Sequence, residues 1–244
     1  MSPICSSSGP TWTHSAVAKA KQPPIAQIHW RTAWRIVPSR FPPVGLFDRV
    51  ADPDDLAAIA EIEGLTNPRL RDELGQFELV PRSRRVTGHG TTPIMAAFTH
   101  LNPAGSRFSD GTFGVLYAAH EEVTAIRETV HHSAQFLAYT REPPLRVEMR
   151  CYKTGVRGAL HDLRSGYPAE HDPDHYEASQ ARAKALRAIG SDGLVYRSVR
   201  HRGGECVAAF YPDLVAAHIQ TRHYQYVWDG ACISDVLEMK SVKV

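Results

Sequence analysis

Gly105-Ser106-Arg107-Phe108-Ser109-Asp110-Gly111, then Gly114-Val115-Leu116-Tyr117-Ala118-Ala119, then Glu121 to about Tyr139: this stretch decides how the chain folds. The first piece is turn chemistry, because glycine reaches backbone angles closed to other residues while serine and aspartate bond their own neighbouring backbone. The second is a short apolar strand. The third sets Val123, Ile126, Val130 and Ala134 at helical spacing, which predicts a helix packed through that stripe with Glu128 off it, at its edge. A strand that runs straight into a helix belongs to a sheet with helices laid against it.

Toward the N-terminus, Ile28-His29-Trp30-Arg31-Thr32-Ala33-Trp34-Arg35-Ile36-Val37 is rich in β-branched and aromatic residues and reads as a strand that Pro38, Pro42 and Pro43 end. Helix-start devices follow at Asp52-Pro53, at Asn67-Pro68 with Gly75 closing that helix, and at Thr92-Pro93 ahead of Ile94 to Thr99. Toward the C-terminus, Leu145, Val147, Met149 and Cys151 alternate with Arg146, Glu148 and Arg150, the period of a half-buried strand over Leu145 to Tyr152. Tyr176 to Ile189 reads as a helix capped by Gly190. Gly193 to Tyr196 and Cys206 to Tyr211 are short strands around an Arg- and Gly-rich loop, and residues 217–229 add edge strands. The order of elements predicts a single α+β domain over residues 29–230. A flexible arm over 1–28 precedes it, since Ser6-Ser7-Ser8-Gly9-Pro10 and Pro23-Pro24 give little to pack, and a tail over 231–244 follows.

With 244 residues, 43% of them hydrophobic, the chain can bury a core without staples. Lys and Arg total 28 against 26 Asp and Glu, leaving +2, too balanced for binding a polyanion along its length; no direct nucleic-acid role is expected. No window approaches the ~20 apolar residues of a membrane span, and no signal-type apolar run opens the chain. Cys5, Cys151, Cys206 and Cys232 form no C-x-x-C pair, which fits a reducing cytoplasm.

Metal chemistry lacks its spacing. His120-Glu121 begins like a zinc helix, but Thr124 stands where the second histidine belongs; His131 and His132 are adjacent and diverge on a helix. No metal is expected. The nucleophile elbow, the dinucleotide glycine motif and the P-loop are missing too. What remains is polar residues at element junctions: Arg107 in the turn, Tyr117 ending a strand, Glu128 in the helix and Ser198 in the Arg-, Gly-rich loop. Arginine forks onto phosphate oxygens, tyrosine stacks on heteroaromatic rings and a carboxylate stabilises a cationic sugar, so the set suits a nucleotide-sugar. Each residue also has an ordinary reading: Glu128 paired on a solvated face, Tyr117 in the core, Ser198 capping its loop.

Trp34-Arg35-Ile36, Asn102 to Ser109, Gly114 to Ala119, Thr124-Ala125-Ile126-Arg127-Glu128-Thr129-Val130 and Asp192-Gly193-Leu194-Val195-Tyr196-Arg197-Ser198-Val199-Arg200 together resemble the RES domain family over roughly Ile28 to Asp229. The family's Arg, Glu and Ser map to Arg107, Glu128 and Ser198, with Tyr117 ten positions after Arg107 and eleven before Glu128. The resemblance implies a mixed sheet like that of ADP-ribosyltransferases, flanked by helices. It also implies an NAD+-degrading toxin of a type II toxin–antitoxin pair, which cleaves the nicotinamide–ribose bond by phosphorolysis or hydrolysis. NAD+ is then substrate rather than cofactor, inorganic phosphate a co-substrate, an Xre-like antitoxin the partner, and a homodimer the suggested assembly. Arg107, Tyr117, Glu128 and Ser198 become the catalytic set, with Arg107 on the pyrophosphate or incoming phosphate, Tyr117 stacked on nicotinamide and Ser198 bonded to phosphate or ribose as substrate ligands; Arg35, matching the family's first motif, is a second phosphate ligand. About seventy residues separate Arg35 from Arg107, more than in compact members, so a helical insertion over about 45–100 is expected. An ADP-ribosyltransferase acting on a protein and a catalytically inactive interaction module would share this fold.

Overall fold

The computed structural model describes residues 22–39, 75–240 and 242. The helices expected after Asp52 and Asn67, and most of the N-terminal arm, lie outside these residues. Seven strands are present: β1 (Ile25–Pro38), β2 (Leu116–Ala119), β3 (Leu145–Asp162), β4 (Gly193–Arg197), β5 (Glu205–Ala209), β6 (Ile219–Trp228) and β7 (Ile233–Met239). Three described α-helices accompany them: α1 (Thr92–Thr99), α2 (Glu122–Thr140) and α3 (Glu177–Ala188).

The strands form one mixed sheet in the order β1-β2-β5-β4-β3-β6-β7, and β1 also pairs with β3. The pairings β1-β2-β5-β4-β3-β1 therefore close a circuit, from which β6 and β7 extend. β3 makes this possible by its length. Its antiparallel register with β1 runs from Ile25↔His161 to Pro38↔Met149, its first half pairs with β6, and its last residues run parallel to β4 at His161↔Leu194. The α+β architecture is as read.

Three element boundaries and the orientation of one helix differ from the sequence reading. β1 starts at Ile25 rather than Ile28, anchored by the Asp162 amide on the Pro24 carbonyl at 2.7 Å, so the sheet claims the end of the expected arm. β3 continues ten residues past Tyr152, through Gly155 and Gly158, because both its edges find partners there. The expected tail contains β7, and β7 covers β6, so residues 217–229 are not an edge. On α2, Val123 is 43% exposed while Thr124, Ala125 and Leu137 are buried. The helix is rolled relative to the predicted stripe, and the roll turns Glu128 inward.

Two cores lie on opposite faces of the sheet. One gathers α1, through Ile94, Met95 and Phe98, against Ile28, Trp30 and Leu116. The other gathers α2 and α3, through Ala125, Ala183 and Leu186, against Phe108, Met149 and Tyr196. The polar residues singled out above border this second face.

Candidate active site

The turn before β2 is built to hold Arg107. Gly105 has φ +74°, and a Cβ there would meet the Ser109 carbonyl at 2.6 Å, so glycine alone fits. Tyr117 reaches back from β2: its hydroxyl accepts the Phe108 amide at 2.9 Å and bonds the Ser106 hydroxyl at 2.8 Å. Burial pushes that phenol up to about 12, so it stays protonated. From α3, Ser179 donates to the Arg107 carbonyl at 2.6 Å and Gln180 to that of Ser106 at 3.0 Å. The turn is thus pinned from strand and helix at once.

The Arg107 side chain is 5% exposed. Its Nη1 donates to the carbonyls of Asp172 at 2.7 Å and Glu170 at 3.4 Å, and its guanidinium lies 4.5 Å from the centre of the Tyr176 ring. Among the described residues no carboxylate pairs with it. A buried cation held by carbonyls and an aromatic face, with no carboxylate partner among the described residues, can accept an anion from outside.

Glu128 and Ser198 are brought together across the fold. The Ser198 hydroxyl donates to Glu128 Oε1 at 2.5 Å, and its oxygen accepts the amides of Arg200 at 3.1 Å and His201 at 2.9 Å. The capping role open to a loop serine is therefore real, and the same hydroxyl orients the carboxylate. A second tie sits one helical turn earlier, where Thr124 and His201 Nδ1 are 2.7 Å apart. Gly204 permits this docking, since a Cβ there would fall 2.6 Å from the Thr124 hydroxyl.

Three further residues border the site. Glu128 Oε2 lies 4.0 Å from His132 Nε2, and the rings of His131 and His132 meet edge to face at 5.5 Å. Burial, reinforced by Arg107 and Arg200, holds His132 down to about 4; burial, Arg200 and His132 do the same to His131. Both are neutral near pH 7. Arg200 donates to the Pro173 carbonyl, lies 3.8 Å from Asp174 and keeps its Nε buried without a partner. The sequence reading weighs the two histidines only as metal ligands and gives Arg200, within the Arg-, Gly-rich loop, no role of its own. The 128/132 spacing, one turn on one helix face, is the signal that links His132 to Glu128.

Arg35 does not join this group. β1 and β2 pair at one position, Trp34↔Ala119, and Arg35 Nη1 donates into the gap beyond, to the Tyr117 carbonyl at 3.1 Å. Burial lowers its pKa to about 10, with Tyr152 and Tyr117 as the groups that oppose the shift. It braces the β1–β2 seam and touches the site only through the Tyr117 backbone.

The RES domain family model matches residues 82–229, a span holding Arg107, Tyr117, Glu128 and Ser198. This chain belongs to the RES domain family. A relative from Sinorhizobium fredii (strain NBRC 101917 / NGR234), the uncharacterized protein y4oC, is 36% identical over 203 residues, which is 82% of this chain and 84% of that protein. Among solved structures, the crystal structure of the M. tuberculosis MbcT-MbcA toxin-antitoxin complex aligns over 84% of this chain and 88% of the other, at 13% identity and a TM-score of 0.44. The RES match starts at residue 82 rather than near Ile28, so β1 and Arg35 precede it. Every residue of the Arg107–Glu128–Ser198 geometry lies within it.

Proposed function

We propose that this RES chain cleaves the bond between nicotinamide and ribose in NAD+, with inorganic phosphate or water as acceptor, and serves as the toxin of a toxin–antitoxin pair. One observation carries the reading: within the RES match, Glu128 is held by the Ser198 hydroxyl, and Arg107 is buried with no carboxylate partner among the described residues. Nicotinamide in NAD+ is a cationic leaving group. As the C1′–N bond breaks, its electron pair passes to the pyridinium nitrogen, neutral nicotinamide departs without a general acid, and C1′ takes on oxocarbenium character. Glu128 stabilises that cation, and Arg107 grips a phosphoryl oxygen. An oxygen of phosphate then bonds C1′ to give a sugar 1-phosphate, or water does so and loses a proton to solvent. Ser198, with its proton on Glu128 and its oxygen filled by two amides, is a positioning residue rather than a ligand of phosphate or ribose. Tyr117 positions in the same way, its hydroxyl holding the Arg107 turn.

The test is incubation of the full chain with NAD+, in phosphate and in a phosphate-free buffer of equal ionic strength, with products resolved by mass. Nicotinamide release is expected in at least one buffer and is unaffected by EDTA; folded protein that releases none in either overturns the reading. Glu128→Gln and Arg107→Ala each lose at least ~100-fold. ADP-ribose recovered on a protein would instead make the chain a transferase. Expression without a partner tests the toxin role: wild type arrests growth and depletes NAD+ while Glu128→Gln does neither, and equal growth of both removes it. The neutralising partner is a helical, Xre-like antitoxin that covers the site.

A further inference from the structure

We infer that Arg107, Arg200 and His131 frame a phosphoryl-oxyanion site beside Glu128. Arg107 and Arg200 come from separate elements, yet they are anchored on successive residues: Arg107 Nη1 on the Asp172 carbonyl and Arg200 Nη2 on that of Pro173. Two guanidinium groups gathered on one short segment repel each other, and the nearer carboxylates of that segment are engaged elsewhere: Glu170 pairs with Arg182 at 2.9 Å, and Asp172 accepts the Asp174 and His175 amides at 2.8 Å. Arg107 has no carboxylate partner among the described residues, and that of Arg200 is Asp174, at 3.8 Å and 68% exposed, where solvent screens it. Glu128 is turned to Ser198 and His132.

Donor capacity is also left over. Arg200 Nε and His131 Nε2 are buried and have no partner. Unmet polar atoms beside like charges cost stability and persist where a ligand uses them. These donors suit an acceptor-only anion that takes several N–H groups at once, which describes a phosphoryl group. Neutral His131 adds a donor, or turns cationic once the anion is in place.

Two phosphoryl sources share this chemistry, free orthophosphate and the pyrophosphate of NAD+; the second, and the acceptor role of the first, rest on the NAD+-cleaving reading. Calorimetric titration of the full chain with inorganic phosphate tests the site without any turnover. Arg200→Ala and His131→Ala each weaken phosphate binding at least ~10-fold. Exposed Arg202→Ala, in the same loop, does not. Arg200→Lys, which keeps the charge and loses the fork, takes the place of the alanine variant if that one unfolds. Initial rates separate the sources: a rise in the KM for phosphate alone marks the acceptor, and a rise in the KM for NAD+ in phosphate-free buffer marks the pyrophosphate. Phosphate binding that Arg200→Ala weakens, in a protein that releases no nicotinamide, keeps the oxyanion site and discards the NAD+ reading. Unchanged phosphate affinity and unchanged KM values in folded Arg200→Ala and His131→Ala overturn the inference, as does an equal loss in Arg202→Ala.

Discussion

Replacing Ser198 by alanine removes three bonds at once: the 2.5 Å donation to Glu128 and the acceptance of the Arg200 and His201 amides at 3.1 and 2.9 Å. A hydrogen bond to a charged group is worth about 1.5–3 kcal/mol, and each tenfold in rate corresponds to about 1.4 kcal/mol. If the bond acts by fixing the carboxylate against the developing cation, kcat falls roughly 10- to 100-fold. The KM for NAD+ barely moves, because the hydroxyl faces the protein. The two orphaned amides lower stability by about 1–3 kcal/mol, visible in a denaturant melt that also confirms folding. The assay is steady-state nicotinamide release by wild type, Ser198→Ala, Glu128→Gln and the double variant. A residue that acts through Glu128 has nothing left to position once that charge is gone, so adding Ser198→Ala to Glu128→Gln costs under about twofold. Full multiplication of the two losses, or a KM effect as large as the kcat effect, would show that Ser198 meets the substrate itself and would refute the positioning argument.

Tyr117→Phe strands the Phe108 amide and loosens the Arg107 turn, so stability drops by about 1–3 kcal/mol and activity falls with it; a variant melting like wild type shows that the hydroxyl is idle. His218 is 2% exposed, and burial together with nearby Arg35 pushes it down to about 3. An unfolded histidine protonates near 6.5, so between roughly pH 6.5 and 3 the unfolded chain holds a proton that the folded one lacks. Stability therefore falls as pH drops through that window, by up to about 1.4 kcal/mol per pH unit from this residue. Denaturant midpoints of His218→Gln between about pH 5 and 7 show a flatter slope than wild type, and an identical slope contradicts the assignment. Deleting residues 1–21 leaves NAD+ turnover intact, whereas a cut beyond Pro24 removes the carbonyl that caps the Asp162 amide and lowers stability; lost turnover in the shorter deletion would mean that the arm takes part in the site.

Local chemistry in the sequence reaches a definite depth here. The turn, strand and helix of Gly105 to Tyr139 are legible because each signal is short-range: glycine and serine make the turn, an apolar run the strand, and a 3.6-residue period the helix. The order Arg107, Tyr117, Glu128, Ser198 is legible as a family pattern, and the RES match covers all four. The same signals stop where a partner is distant. Apolar periodicity names a stripe on α2, but the docking of the 198–204 loop onto Thr124 and of the helix onto the sheet rolls Val123 out and Glu128 in. Alternation reads the strand only as far as Tyr152, yet β1 and β4 keep the backbone paired through Gly158 as far as Asp162.

By itself the sequence determined the α+β class, the turn–strand–helix unit and the family pattern of Arg107, Tyr117, Glu128 and Ser198, since these are read from local residue order. Tertiary structure alone decided what those side chains touch. Ser198 meets Glu128 across seventy positions, and Arg107 and Arg200 are anchored on the successive residues Asp172 and Pro173, far from either in the chain. Arg35, in the same strand as its motif predicts, is instead turned to the β1–β2 seam. A hydroxyl's role is set by which acceptor its proton reaches and a cation's by whether a carboxylate lies beside it, and both are fixed by contacts that only the closed sheet brings within 4 Å.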